Sequence, residues 1–267
     1  MYQAIVSDLD GTLLNSQGVL SSETIRVLEE FHRNGVVIMV ATGRFDTDAR
    51  RVLTGLSFNP VVVSCNGAMI KGSESHPLFT QCLPMMLSES LLNRVADLPF
   101  HITVFSEKGW HMVEENPFFE DYIAQSGLTC DYVTDDEIKS IEALKILLQG
   151  SEEQVNHYCM ILKDEFGAHA NICKSSPNTI DIVMKGLSKA EAIKHFLSGK
   201  GINMANVVAF GDAMNDLEML QQAGEGVVMG NAMDELAQAI PQCARTRSND
   251  ENGVAHFLMT LKETEVL

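Results

Sequence analysis

Ser7-Asp8-Leu9-Asp10-Gly11-Thr12-Leu13-Leu14 follows directly on the apolar run Ala4-Ile5-Val6. A continuous apolar run of this kind reads as a strand buried on both faces, as in a parallel sheet. Gly11 permits a turn, so Asp8 and Asp10 stand where the strand gives way to a loop. In open α/β sheets, ligands bind at the carboxyl ends of strands. Two acids this close repel each other unless a cation or a shared proton relieves them. An Asp-Gly turn in a solvated loop explains the same residues. The rest of the chain decides between these readings.

Downstream, Ser21 or Ser22 can cap a helix running to about Asn34, with Ile25, Leu28 and Phe31 on one face and Gly35 as its stop. Val36 to Ala41 reads as a second apolar strand, ending in Thr42-Gly43-Arg44. A weaker helix is predicted from Asp46 to Leu56. Pro60 to Ser64 is a third strand, ending in Cys65-Asn66-Gly67. Strand and helix alternating at this spacing predict a doubly wound parallel sheet of the Rossmann-like α/β class.

The pattern changes after Gly67. Ala68 to about Leu83 reads as hairpin-like segments around Lys71-Gly72-Ser73-Glu74. Residues 84–185 mix amphipathic helices with short strands. Helices are expected over Leu87 to Ala96, Pro117 to Gln125 and Ser151 to Phe166. Strands are expected at His101 to Phe105, Trp110 to Val113, Ala143 to Leu148, Ala170 to Lys174 and Thr179 to Met184. The first pattern resumes after Gly186-Leu187-Ser188. A helix from Ser188 precedes the strand Asn206 to Phe210, which runs into Gly211-Asp212-Ala213-Met214-Asn215-Asp216. A helix to Gln222, a strand at Gly226 to Met229 and helices near Met233 to Ala239 and Val254 to Lys262 complete the chain. The reading is a discontinuous core, residues 1–83 and 186–267, with an α+β insert at 84–185.

The chain has 267 residues and a net charge of -17. That charge argues against nucleic acid and anionic membranes as partners. No apolar stretch has membrane-spanning length, and the first residues carry no secretory signal. Six scattered cysteines without a CxxC pair suit a reduced, cytoplasmic protein. The eight histidines show no HExxH or other paired spacing, which disfavours zinc. In so acidic a chain a phosphate site must be locally positive, and a divalent cation among carboxylates supplies that.

Four polar clusters thus stand at predicted strand ends: Asp8/Asp10, Thr42/Gly43, Asn66/Gly67 and Asp212/Asn215/Asp216. In one parallel sheet they share an edge. With these residues the chain resembles the haloacid dehalogenase superfamily, in its Cof-like branch of phosphatases with a C2B-type α+β cap. The match runs through Asp8-Leu9-Asp10-Gly11-Thr12-Leu13, Ala41-Thr42-Gly43-Arg44, Ser188-Lys189 and Gly211 to Asp216. It continues through Ala223-Gly224, Met229 to Ala232, and Asn249 to Ala255. Ala190 departs from the glycine that the family commonly has after the lysine. Residues 84–185 match only as the expected cap pattern, and that cap would close over the core and select the leaving group.

The resemblance implies Asp8 as nucleophile, forming an aspartyl phosphate, and Asp10 as general acid and then base. It implies Mg²⁺ held by the Asp8 carboxylate, the Asp10 carbonyl and Asp212, with Asp216 acting behind them through a water or through Lys189. Leu9, Thr42, Gly43, Lys189 and Asn215 are the implied phosphate-binding residues, Asn215 alternatively fixing Lys189. Asn66 either contacts phosphate or the cap hinge, or forms an Asn-Gly turn. Arg44 either faces substrate or pairs with a surface acid. The cap residues His101, Trp110, His111 and Lys174 receive no role. The implied function is a Mg²⁺-dependent phosphatase for a small phosphorylated metabolite, a sugar phosphate or pyridoxal phosphate, acting as a monomer or small homo-oligomer. The alternatives are a phosphomutase on the same core and a phosphate-ligand binding protein without turnover.

Overall fold

The computed structural model describes residues 2–74, 76–117, 119, 123 and 129–263. Contacts divide the chain into two compact units, Met1–Phe79 with Ser188–Leu267, and Thr80–Leu187.

The first unit is organised by an eight-stranded sheet. Its strands are β1 (Ala4–Ser7), β2 (Val37–Ala41), β3 (Val61–Ser64), β4 (Met69–Lys71), β5 (Phe79–Thr80), β12 (Val207–Gly211), β13 (Glu225–Val228) and β14 (Ala244–Arg245). Their order is β14-β13-β12-β1-β2-β3-β4-β5. The pairs from β14 to β3 are parallel, and β4 runs antiparallel to β3. Every residue of β1 is buried, and its alternation serves two layers. Ile5 faces a core with Val40, Val62 and Val208. That layer takes side chains from helices α1 (Ser22–Arg33), α2 (Asp46–Val52) and α9 (Gly253–Glu263). Ala4 and Val6 face Met39, Val63 and Ala209. Helices α6 (Lys189–Gly199), α7 (Leu217–Gln222) and α8 (Asp234–Ala239) cover that side. Burial on both faces is why the central strands read as unbroken apolar runs. The chain leaves β1 toward β2 on one side, while β12 and β13 lie on the other. The β1/β12 boundary is therefore the point where strand order reverses, the position at which such sheets bind ligands.

The second unit carries a six-stranded sheet in the order β10-β11-β9-β6-β7-β8. These strands are β6 (His101–Ser106), β7 (Gly109–Met112), β8 (Cys130–Tyr132), β9 (Lys145–Gln149), β10 (Ala170–Ser176) and β11 (Thr179–Met184). Helices α3 (Met85–Val95), α4 (Asp135–Lys139) and α5 (Glu152–Phe166) pack on one face around Val104, Ile146, Leu148, Ile180 and Ile182. On the opposite face, buried Lys145 and Asp181 meet diagonally across β9 and β11 at 3.2 Å.

Strand β9 begins and ends slightly later than its expected span. Helix α2 stops at Val52 rather than Leu56, where Leu53 and Leu56 close successive tight turns. The short β8, α4 and β14 are additional to the expected elements; each has too few buried residues to leave a periodic signal. For α4 the Thr134/Glu137 capping box is the signal that identifies it. Most of the helix expected over Pro117 to Gln125 lies outside the described residues. The six cysteines are all described and form no disulfide. Among the described residues no helix is long and apolar enough to cross a membrane.

Candidate active site

The carboxyl ends of β1, β2, β3 and β12 place the expected residues along one sheet edge. Asp8 follows β1, and its N–H extends the pairing with β12 by donating to the Phe210 carbonyl at 3.0 Å. Leu9–Leu13 then form a single wide helical turn, closed by Leu14 N–H donating to the Leu9 carbonyl at 2.9 Å. Gly11 sits inside it at φ 75°. A Cβ on Gly11 would lie 2.5 Å from Asp212 Oδ2, so glycine serves both the turn and the approach of the far chain half. The Leu9 side chain is buried in the core.

Lys189 opens α6, whose cap Ser188 accepts a bond from Glu191 N–H. The lysine is 1% exposed. Its Nζ donates to Asp8 Oδ1 at 2.5 Å and to Asp216 Oδ1 at 2.7 Å. Asp216 Oδ2 accepts from the N–H groups of Asp212 and Ala213 at 3.0 and 3.1 Å. Asp216 thus ties the loop after β12 to the lysine directly. Asp212 Oδ1 accepts from Thr12 Oγ1 at 2.7 Å.

One carboxylate oxygen from each of Asp8, Asp212 and Asp216 lies within 4.8 Å of the others. Three acids share one ammonium, an excess of negative charge in a buried place. Burial, then the carboxylates of Asp216 and Asp212, push Asp8 well above the usual carboxylate range against the pull of Lys189. Burial and Asp216 push Asp212 up to about 6. Burial opposes the charge on Lys189, but Asp216 and Asp8 outweigh it and raise its pKa, so the ammonium is kept. Lys189 is therefore charged, and the strain of the cluster falls on the acids. Hard oxygen donors with uncompensated charge are what a divalent cation such as Mg²⁺ takes, so the residues present fit a metal. Both oxygens of Asp216 already accept bonds, from Lys189 and from the N–H groups of Asp212 and Ala213.

Thr42 is buried, and its Oγ1 accepts from Arg44 N–H at 3.0 Å, leaving its own hydrogen for another acceptor. Its carbonyl accepts from Asn66 N–H at 3.0 Å. Gly43 follows in the same loop. Cys65 and Asn66 both adopt positive φ, 50° and 55°, in the turn joining β3 to β4. Asn66 belongs to a left-handed Asn-Gly turn, and its Oδ1 accepts from Asn215 Nδ2 at 3.0 Å. Asn215 Oδ1 is buried without a hydrogen-bond partner among the described residues.

Asp10 stands apart from the lysine cluster, with its carboxylate half-exposed and held by Arg44. Arg44 thus pairs with acids, Asp10 and the buried Asp48. Sequence reasoning missed Thr12 and Asp48. The Arg44/Asp48 spacing of four residues was the signal for the second. Of the unassigned residues of the second unit, His111 Nε2 lies 2.8 Å from Ser106 Oγ and Lys174 Nζ donates to Asn156. Trp110 is buried, and His101 Nδ1 lies 3.4 Å from Glu114.

Residues 5–258 match the family of haloacid dehalogenase-like hydrolases. An HMP-PP phosphatase of Yersinia pestis is 30% identical over 258 residues, covering 97% of this chain and 94% of the relative. The structure of a haloacid dehalogenase-like hydrolase from B. subtilis superimposes with a TM-score of 0.89 at 25% identity, covering 97% of this chain and 99% of that one. One from Bacteroides thetaiotaomicron does so at 0.83 and 26%, covering 98% and 100%.

Proposed function

We propose, since the chain belongs to the haloacid dehalogenase-like hydrolases and is a phosphatase, that it hydrolyses a small phosphorylated metabolite through a phosphoryl group carried on Asp8. The observation that carries this reading is the buried Lys189 ammonium between Asp8 and Asp216. It supplies fixed positive charge beside a carboxylate, where a phosphoryl group needs it.

In the first step an Asp8 oxygen attacks phosphorus and the ester oxygen departs, taking a proton from Asp10. In the second, water attacks the same phosphorus and gives a proton to Asp10, inorganic phosphate leaves, and the Asp8 carboxylate is restored. Lys189 offsets phosphoryl charge while Asp216 fixes its direction. The Thr42 hydroxyl, the amides of Gly43 and Leu9, and Asn215 are the donors assigned to the phosphoryl oxygens, with Asn66 orienting Asn215. Asp8, Asp212 and the Asp10 carbonyl would hold Mg²⁺, which would add positive charge against the phosphoryl oxygens.

Sugar phosphates and pyridoxal phosphate are the substrate classes suggested by the resemblance, and the relative's name adds HMP-PP. The location proposed is the cytoplasm. Purified protein should release phosphate from p-nitrophenyl phosphate with Mg²⁺ and stop with EDTA. A panel holding sugar phosphates, pyridoxal phosphate and HMP-PP should give one compound with a far higher kcat/KM. No turnover on the whole panel in any divalent metal would refute the reading.

A further inference from the structure

Arg44 is bonded at both its backbone and its guanidinium. Its N–H donates to Thr42 Oγ1, and its carbonyl accepts from Cys65 N–H at 2.9 Å, so its backbone is fixed between the loops after β2 and β3. Its Nη1 donates to Asp48 Oδ1 at 3.2 Å, a carboxylate buried one turn along in α2. The rest of the guanidinium forms a fork on Asp10: Nε to Oδ2 at 2.7 Å and Nη2 to Oδ1 at 2.5 Å. Two parallel bonds fix both torsions of a short side chain, which one bond or a point charge does not.

The two acids of the opening motif are thereby given separate cations. Lys189 bonds Asp8 and Asp216, while Arg44 bonds Asp10 and Asp48. We infer that Arg44 is a positioning residue for Asp10: braced by Asp48, it sets where the Asp10 carboxyl meets the leaving-group oxygen. This rests on the reading of Asp10 as the proton-handling group. The fork is compatible with that work, because each carboxylate oxygen has a second lone pair beyond the one facing Arg44. The fork also keeps the Asp10 carboxylate from turning toward Lys189, which would leave the leaving group without an acid.

The test compares two aryl phosphates of similar shape. Phenyl phosphate needs its leaving oxygen protonated, and 2,4-dinitrophenyl phosphate does not. Asp10→Asn should lower kcat/KM for phenyl phosphate by about 100-fold or more, the usual size of general acid catalysis, with a much smaller loss on the dinitrophenyl ester. Arg44→Met should reproduce that selective loss, at about tenfold or more between the two esters, with KM changed little. Arg44→Lys should fail to restore it, since a lysine keeps the charge and loses the fork. Asp48→Asn should show the same selectivity in weaker form. The Asp10→Asn/Arg44→Met double variant should lose no more than Asp10→Asn alone.

Equal losses of Arg44→Met on both esters, or losses that multiply in the double variant, overturn the inference, because Arg44 then acts on the phosphoryl group or on the fold. If Asp10→Asn shows the selectivity and Arg44→Met does not, the clamp fails while the acid stands. If Asp10→Asn shows no selectivity, the acid assignment fails and takes the clamp with it.

Discussion

Lys189 Nζ and Asp8 Oδ1 meet at 2.5 Å across 181 residues of chain, in a place almost closed to solvent. The whole insert between β4 and α6 separates them in sequence, yet the sheet edge and the start of α6 bring them together.

Lys189→Met should be severely damaging. It leaves Asp8 and Asp216 buried without a countercharge, a change that costs about 3–5 kcal/mol when one partner of a buried pair is removed. Thermal unfolding should shift down by several degrees, and phosphate release should fall by at least about 100-fold. Differential scanning fluorimetry and a phosphate assay measure both.

The metal-free protein should respond to pH in an unusual direction. Asp212 is pushed from its ordinary 3.8 up to about 6, chiefly by burial. A carboxyl whose folded pKa is raised binds its proton more tightly when folded. Its stabilisation is fully present below about 3.8 and is lost as pH rises through about 6. A bound cation removes the repulsion that appears once that proton has gone. The rise in Tm on adding Mg²⁺ should therefore be larger at pH 7.5 than at pH 5, and Asp212→Asn should flatten the difference.

Thr12→Val should weaken metal binding without removing a ligand. The Thr12 hydroxyl orients Asp212 through a 2.7 Å bond and lowers its pKa. Loss of such an outer partner typically costs about 10- to 100-fold in metal affinity or activity. Titration of activity with Mg²⁺ should show a raised half-saturation point and a kcat that recovers at high metal.

In the second unit, Asp181→Leu should destabilise, since Lys145 is then buried against a lost partner. The Lys145→Met/Asp181→Leu double variant should recover most of the loss, because apolar replacement of a buried pair is often neutral or better. Thermal melts of the three proteins decide it.

The central strands and the Asp8, Thr42, Asn66 and Asp212 clusters were legible in the sequence because burial on both faces writes a continuous apolar run, and polar residues at its end mark the edge. Lys189 was legible only through resemblance: one lysine at a helix start carries no periodic signal of its burial. The Arg44 fork on Asp10 was not legible, as the letters carry no sign of which acid an arginine meets across 34 residues of chain. Nor was the role of Thr12, which points across to Asp212 from the other half of the chain. The short β8 and β14 at the sheet margins escaped for lack of any pattern to read.

The most direct test of the account is to trap the phosphoryl group. Asp10→Asn should slow hydrolysis of the intermediate, so rapid acid quench with substrate, followed by peptide mass spectrometry, should find one phosphoryl group on the peptide holding Asp8. Hydroxylamine should remove it, as for an acyl phosphate, and Asp8→Asn should show none and release no phosphate. An unmodified Asp8 peptide during active turnover, or full activity in Asp8→Asn, would contradict the account.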